Sequence, residues 1–273
     1  MREALSKWLS LAWLAAVATA AAADEVAPVS YVDIASGTLI SVLSNSSDNR
    51  PIPVKAFSVR VTPVTNGEYL NFVIKNPDWN RDRIAPVFAD HTYLHGWNSG
   101  SDYGDQSDRQ RPVTNVSWFA AQAFCEHEGA RLPTWYEWEY LAAADANHAD
   151  ARKDPAWRAR ILAWYDTPTN THGPVVGGVA NYYGVRDMHG LIWEWVEDFN
   201  ALFISPDSRN QGDPDKLKFC GAGALSLQDK ENFAILMRIA LLSSLSGADS
   251  TDNLGFRCAR SAASEISPIS PIK

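Results

Sequence analysis

The stretch Gly129 to Glu139, GARLPTWYEWE, constrains the fold most, because one helix must stop and another start within a few residues. Gly129 can end a preceding helix in the left-handed conformation that a Cβ disfavours. Pro133 cannot continue that helix and biases Leu132 toward extended geometry. Thr134 with Glu137 three places on is a capping box. The hydroxyl accepts from the Glu137 N–H, and the carboxylate reaches back to the Thr134 N–H. Trp135 and Trp138 lay a large apolar area beside this cap. Upstream, Trp118, Ala121 and Cys125 fall at i, i+3 and i+7, the stripe of a buried helix over residues 117–128. Downstream, the second helix runs from Trp135 to about Ala144, and an amphipathic third covers Pro155 to Trp164.

The remaining segments flank this centre. Alternating residues predict strands at Val29–Ile34, Thr38–Val42 and Val54–Val61, with a polar loop over Ser44–Asn49. Thr65 and Glu68 form a second capping box, opening a helix with Tyr69, Phe72 and Val73 on one side and Asn76-Pro77 at its end. Residues 77–112 are irregular. His91 and His95 lie four apart there and would share a helical face, but no Glu completes a metal motif and Gly96 opposes a helix. Thr167 to Gly178 is a loop rich in Pro, Gly and Thr, and Gly184 and Gly190 mark tight turns. Trp193, Glu194 and Trp195 start an expected strand. A carboxylate between two indoles has two readings. It is a desolvated acid–base group with a raised pKa, or it hydrogen-bonds backbone amides across the core, and the second is preferred. Residues 203–219 are loop-like, Cys220–Ser226 is a small-residue turn, Phe233–Ser244 is apolar, and Asn253–Ala259 is a closing strand.

Charge and leader limit the function classes. A formal net charge of −8 with no basic cluster argues against nucleic-acid binding. Residues 1–23 read as a signal peptide: Arg2 and Lys7, then an apolar run from Leu9 to Ala20, then small residues before Asp24. The run is short for a membrane span, so the mature protein is expected to be exported, to a periplasm, with no membrane attachment. Export permits a disulfide, and three cysteines, Cys125, Cys220 and Cys258, leave one thiol over.

Taken in order, several motifs resemble the formylglycine-generating-enzyme, or sulfatase-modifying-factor, family. They are Thr62-Pro-Val-Thr-Asn-Gly-Glu-Tyr69, Pro112-Val-Thr-Asn-Val-Ser-Trp118, Ala123-Phe-Cys125 and Arg131-Leu-Pro-Thr134 with Glu137-Trp-Glu139. Tyr183-Gly-Val-Arg-Asp-Met-His-Gly190, Trp193-Glu-Trp195 and Asn253-Leu-Gly-Phe-Arg-Cys258 follow. The family's Gly-Gly opening is degraded here to Ser36-Gly-Thr-Leu-Ile40. The resemblance implies one α+β domain of C-type-lectin-like topology with little regular secondary structure, over residues 24–261; the tail over 262–273, with Pro268 and Pro271, is expected to be disordered on its composition. It also implies a Cys125–Cys258 disulfide, with Cys220 left as a buried free thiol.

Departures from the family bear on activity. The two copper-binding cysteines of the family fall on Asp229 and Ala234, neither of which can supply the thiolate that copper(I) prefers. An Arg of the family's substrate cleft is Leu242, although Arg238 is kept. A family calcium site uses an Asn that is Leu191 here. Neither copper nor calcium is therefore supported by the local motifs, and oxidation of a substrate cysteine by the usual chemistry is not expected. Two branches of the family lack the cysteine pair. One matures the pyoverdine siderophore chromophore in the periplasm, and the other comprises exported accessory proteins encoded beside copper nitrite reductase. The wording of Gly129–Trp135, Ile161–Tyr165 and Phe219–Ser226 is similar to the second branch. The expected role is an accessory protein with a periplasmic protein or peptide partner, nitrite reductase foremost. The alternatives are a metal-dependent or acid–base oxidase or tautomerase acting on a peptide or siderophore precursor, and a lectin-like binding module. The candidate catalytic residues are Glu194, Asp229 and His189 for acid–base work, with Arg238 and Ser226 as anion or oxyanion contacts.

Overall fold

A computed structural model describes residues 30–42, 51–165, 175–201 and 233–262. The leader, Cys220, Ser226, Asp229 and the tail from residue 263 on lie outside the described residues.

Four strands open the described chain: β1 Tyr31–Ile34, β2 Gly37–Leu39, β3 Ile52–Val54 and β4 Phe57–Arg60. The expected strand over Val54–Val61 is two strands, broken at Lys55-Ala56. β3 pairs antiparallel with β2, whereas β4 lies between β1 and β7 (Ala259–Ser261), antiparallel to both. The expected closing strand is likewise split. β6, Leu254–Gly255, runs parallel to β5, Trp193–Glu194, before the chain reaches β7. Gly255 permits that crossing, because a Cβ there would stand 2.3 Å from the Val113 carbonyl oxygen.

Helix α1, Asn66–Lys75, and helix α3, Trp135–Ala142, both begin with complete capping boxes. Each box glutamate also receives an arginine. Glu68 accepts from Arg60 at 2.8 Å and Glu137 from Arg131 at 2.7 Å. Thr134→Ala is expected to cost about 1 kcal/mol, lowering the thermal midpoint by about 2–4 °C, which calorimetry would measure. Between the boxes, α2 covers Trp118–His127 and ends as the sequence predicts. Gly129 has φ +66°, its N–H donates to Glu126 O, and the Ala130 N–H donates to Cys125 O, which is the six-to-one closure of a helix C-terminus. Ala121 and Cys125 are buried, while Trp118 is half-buried.

The main core joins the β-sheet residues Phe57 and Val59 to Tyr69, Phe72, Phe124, Trp135, Trp138, Trp195 and Phe256. Cys125 and Cys258 are joined in a disulfide across a separation of 133 residues, with Cα atoms 5.5 Å apart. Helix α4, Pro155–Tyr165, packs apart from this core, in a small cluster of Ala151, Trp157 and Ile161. Helix α5, Phe233–Ser243, buries Ile235, Arg238, Ile239 and Leu242.

Candidate functional site

The Trp138 indole gathers the site. The α3 cap fixes where this helix starts, so Trp135 and Trp138 face inward one turn apart, with ring centroids 5.8 Å from each other. Arg238 of α5 lies over Trp138, its Cζ 3.6 Å from the ring centroid. His189 meets the same ring edge-on at 5.9 Å. The indole N–H donates to Glu194 Oε2 at 3.1 Å. Three of the five candidate residues, Glu194, Arg238 and His189, are thus brought together by one side chain that sequence reasoning had placed only beside a cap.

Glu194 is 1% exposed. Besides the Trp138 bond, its carboxylate accepts from Arg257 Nε at 2.8 Å and from Arg257 Nη2 at 2.7 Å. The sequence reading had Glu194 bonding backbone amides, but its partners are side chains. Arg257, 63 residues on, is the functional-site residue that the reading missed. Its remaining N–H groups donate to the carbonyls of Arg60, Val61, Arg186 and Asp187. The available signal was an arginine inside an apolar closing segment, Leu254-Gly-Phe-Arg-Cys258, where a charge needs a partner. Arg238 donates through Nη2 to the Glu194 carbonyl oxygen. One guanidinium therefore pairs with the Glu194 carboxylate and a second holds its backbone carbonyl, beside the Trp138 ring. Leu242, one turn beyond Arg238, is fully buried and fills the core where the family has an arginine.

His189 sits between Trp138 and Trp157, 5.6 Å from the latter. Its Nε2 is 2.8 Å from the Ala142 carbonyl oxygen. A carbonyl only accepts, so Nε2 carries the proton. Burial lowers the imidazole pKa to about 4, and Arg238 adds to the effect, so the ring is neutral near pH 7.

A second buried carboxylate lies behind the first. Glu139 is fully buried and accepts from Ser41 Oγ, from the Val42 N–H at 2.9 Å and from Trp135 Nε1 at 2.9 Å. Burial raises its pKa above the usual carboxylate range. Asp198 accepts from the Trp135 N–H at 2.7 Å, and burial raises it as well.

The donor set does not fit a two-thiolate copper site. The chain has three cysteines and two are consumed in the Cys125–Cys258 bridge, so one thiol remains where two thiolates are required. His91 and His95 are exposed on a run of turns rather than a helix. Leu191 offers no side-chain oxygen to calcium. Among the described residues, no three His, Cys, Asp or Glu side chains are grouped to hold a metal ion.

Comparison with known proteins matches residues 18–262 to a family described as the sulfatase-modifying factor enzyme 1-like domain. The chain is 27% identical over 250 residues to the inactive C-alpha-formylglycine-generating enzyme 2 of Mus musculus, covering 78% of each chain. It is 29% identical to the formylglycine-generating enzyme of Mycobacterium tuberculosis, over 76% of this chain and 88% of that one. Among solved structures, PvdO from Pseudomonas aeruginosa superposes with a TM-score of 0.44 at 17% identity, over 85% of this chain and 94% of that one.

Proposed function

The chain belongs to the sulfatase-modifying-factor family, and we propose that it acts there as an exported accessory protein that binds a periplasmic metalloenzyme, copper nitrite reductase foremost, without cysteine–copper oxidation. The observation that carries the negative half is the disulfide, which takes two of the three cysteines out of reach of any metal. Similarity to a mammalian relative whose name calls it inactive agrees with a family member that keeps the fold without the chemistry. Nitrite reductase as partner rests on the wording of Gly129–Trp135, Ile161–Tyr165 and Phe219–Ser226. Glu194 is poorly placed for proton transfer, because both its oxygens are engaged by Trp138 and Arg257 and it would have to leave Arg257 to act.

The test has two parts, run on the mature protein. Calorimetric titration into purified copper nitrite reductase should show saturable binding. Incubation with a cysteine-containing sulfatase peptide, with copper supplied, should leave the peptide mass unchanged. Aldehyde formation on the peptide would overturn the non-catalytic half, and absence of heat with nitrite reductase would overturn the choice of partner.

A further inference from the structure

Residues 264–273 read Ser-Glu-Ile-Ser-Pro-Ile-Ser-Pro-Ile-Lys, in which Ile-Ser-Pro recurs with a period of three. Proline is excluded from helix interiors and central strands, so this sequence suits an extended segment that needs another surface for its isoleucines. A polyproline II helix has three residues per turn. In that conformation Ile266, Ile269 and Ile272 would share one edge, and Pro268 and Pro271 the next. Pro268-Ile-Ser-Pro271 also has the P-x-x-P spacing that docks on aromatic rows.

The folded body carries a row of tyrosines close to where this segment departs. β7 ends at Ser261, whose hydroxyl accepts from Arg131 Nε at 3.1 Å. Arg131 in turn donates to Glu137, in the first turn of α3, at 2.7 Å. Tyr136, next to Glu137, and Tyr140 lie four apart on α3 and so share one face, and both are half-buried. Tyr183 meets Tyr140 at 5.0 Å, and Tyr182 meets Tyr183 edge-on at 5.3 Å. Tyr182 is the open end of the row, 57% exposed. The Tyr140 hydroxyl is seated against Gly37 of β2, where a Cβ would stand 2.3 Å from it. A ring held in place beforehand gives up little rotamer entropy on binding.

We propose that residues 264–273 dock on their own chain along Tyr136, Tyr140, Tyr183 and Tyr182, as a polyproline II segment with its prolines and isoleucines on the rings. The reach suffices. Residues 263–273 span about 34 Å in that conformation, whereas Tyr140 is about 6 Å beyond Tyr136 along α3. The two remaining steps are the ring contacts of 5.0 and 5.3 Å. Charge favours the same direction. Glu265 comes soon after the exit beside Arg131, and Lys273 comes last. The far end of the row is acidic: the Tyr182 N–H donates to the Asp145 carbonyl at 2.6 Å, and Asp150 lies within electrostatic range of the Tyr183 phenol. This surface does not depend on nitrite reductase being the partner.

The probe is a synthetic peptide of residues 264–273, titrated calorimetrically into the full chain and into a chain shortened to stop at Ala262. The shortened chain should bind it saturably. The full chain should bind it at least about tenfold more weakly, because its own segment competes at an effective concentration on the order of millimolar. Tyr182→Ala in the shortened chain, and alanine at both Pro268 and Pro271 in the peptide, should each weaken binding by about tenfold. No binding to the shortened chain, or binding indifferent to Tyr182→Ala, would overturn the proposal. So would sedimentation of the full chain as a dimer that the peptide dissociates, since the segment would then occupy a second copy. Should the shortened chain fail to fold, nitration of Tyr182 in the full chain, read by mass spectrometry, decides. Pro268→Ala with Pro271→Ala should speed it severalfold, and equal rates refute the docking.

Discussion

Reduction of the Cys125–Cys258 bridge is expected to lower the stability of the mature protein by about 4–5 kcal/mol, the largest effect of any single covalent change in this chain. The bridge closes 133 residues, so in the chain-entropy account it removes much of the freedom of the unfolded state. The native state needs the bridge less. Beside it, Arg131 and Ala259 exchange two backbone hydrogen bonds, Arg131 N–H to Ala259 O at 2.9 Å and Ala259 N–H to Arg131 O at 2.7 Å. β7 is also held by β4. The folded geometry should therefore survive, with the loss appearing as a lower urea midpoint. The measurement is urea unfolding of the oxidised protein, of the protein in reductant, and of Cys125→Ala with Cys258→Ala. The alanine pair should lose somewhat more than the reduced protein, because each removed sulfur leaves a void at a residue with no exposed surface. A difference below about 1 kcal/mol between oxidised and reduced protein would mean that the unfolded chain already keeps these segments together.

Local chemistry was readable and partner choice was not. Both capping boxes, the Gly129 stop and the starts of α2 and α3 are written in neighbouring residues, and the structure has them where the sequence puts them, although α3 ends at Ala142 rather than about Ala144. The strand over Val54–Val61 failed because alternation reports a half-buried strand without saying which strand it joins. The chain changes sheets at Lys55-Ala56, and no periodic signal marks that change. The same reason divides Asn253–Ala259 between β5 and β4. At the site, Glu194 stood out as a carboxylate between indoles, but its partners lie 56 and 63 positions away, at Trp138 and Arg257. A contact of that span leaves no trace in spacing. What the sequence did offer was the rule that a buried charge is paired, and Arg257 was the charge to ask about.

Glu194→Gln, a natural first probe for an acid–base residue, is expected to act on stability before it acts on function. The Glu194 and Arg257 side chains are 1% and 0% exposed. Removing the carboxylate charge leaves Arg257 desolvated without its counter-ion, with Arg238 close by, held at the Glu194 backbone and on Trp138. Breaking one partner of a buried pair costs about 3–5 kcal/mol, and the second guanidinium places this case toward the upper end. Arg257→Met should cost a similar amount for a different reason. It strands a buried carboxylate, which can take up a proton, and it also removes a donor from the carbonyls of Arg60, Arg186 and Asp187, while Val61 O keeps the Arg186 N–H. The double variant should then lose less than the sum of the singles, because the charge of each residue matters only while the other remains. Urea unfolding of the four proteins, followed by tryptophan fluorescence, measures this coupling directly. Coupling near zero would mean that the pair is solvated or independent, and Glu194 would return as a candidate proton carrier. Strong coupling would mean that loss of activity in Glu194→Gln says nothing about catalysis, because the variant disrupts the platform on which Trp138, Arg238 and His189 are assembled.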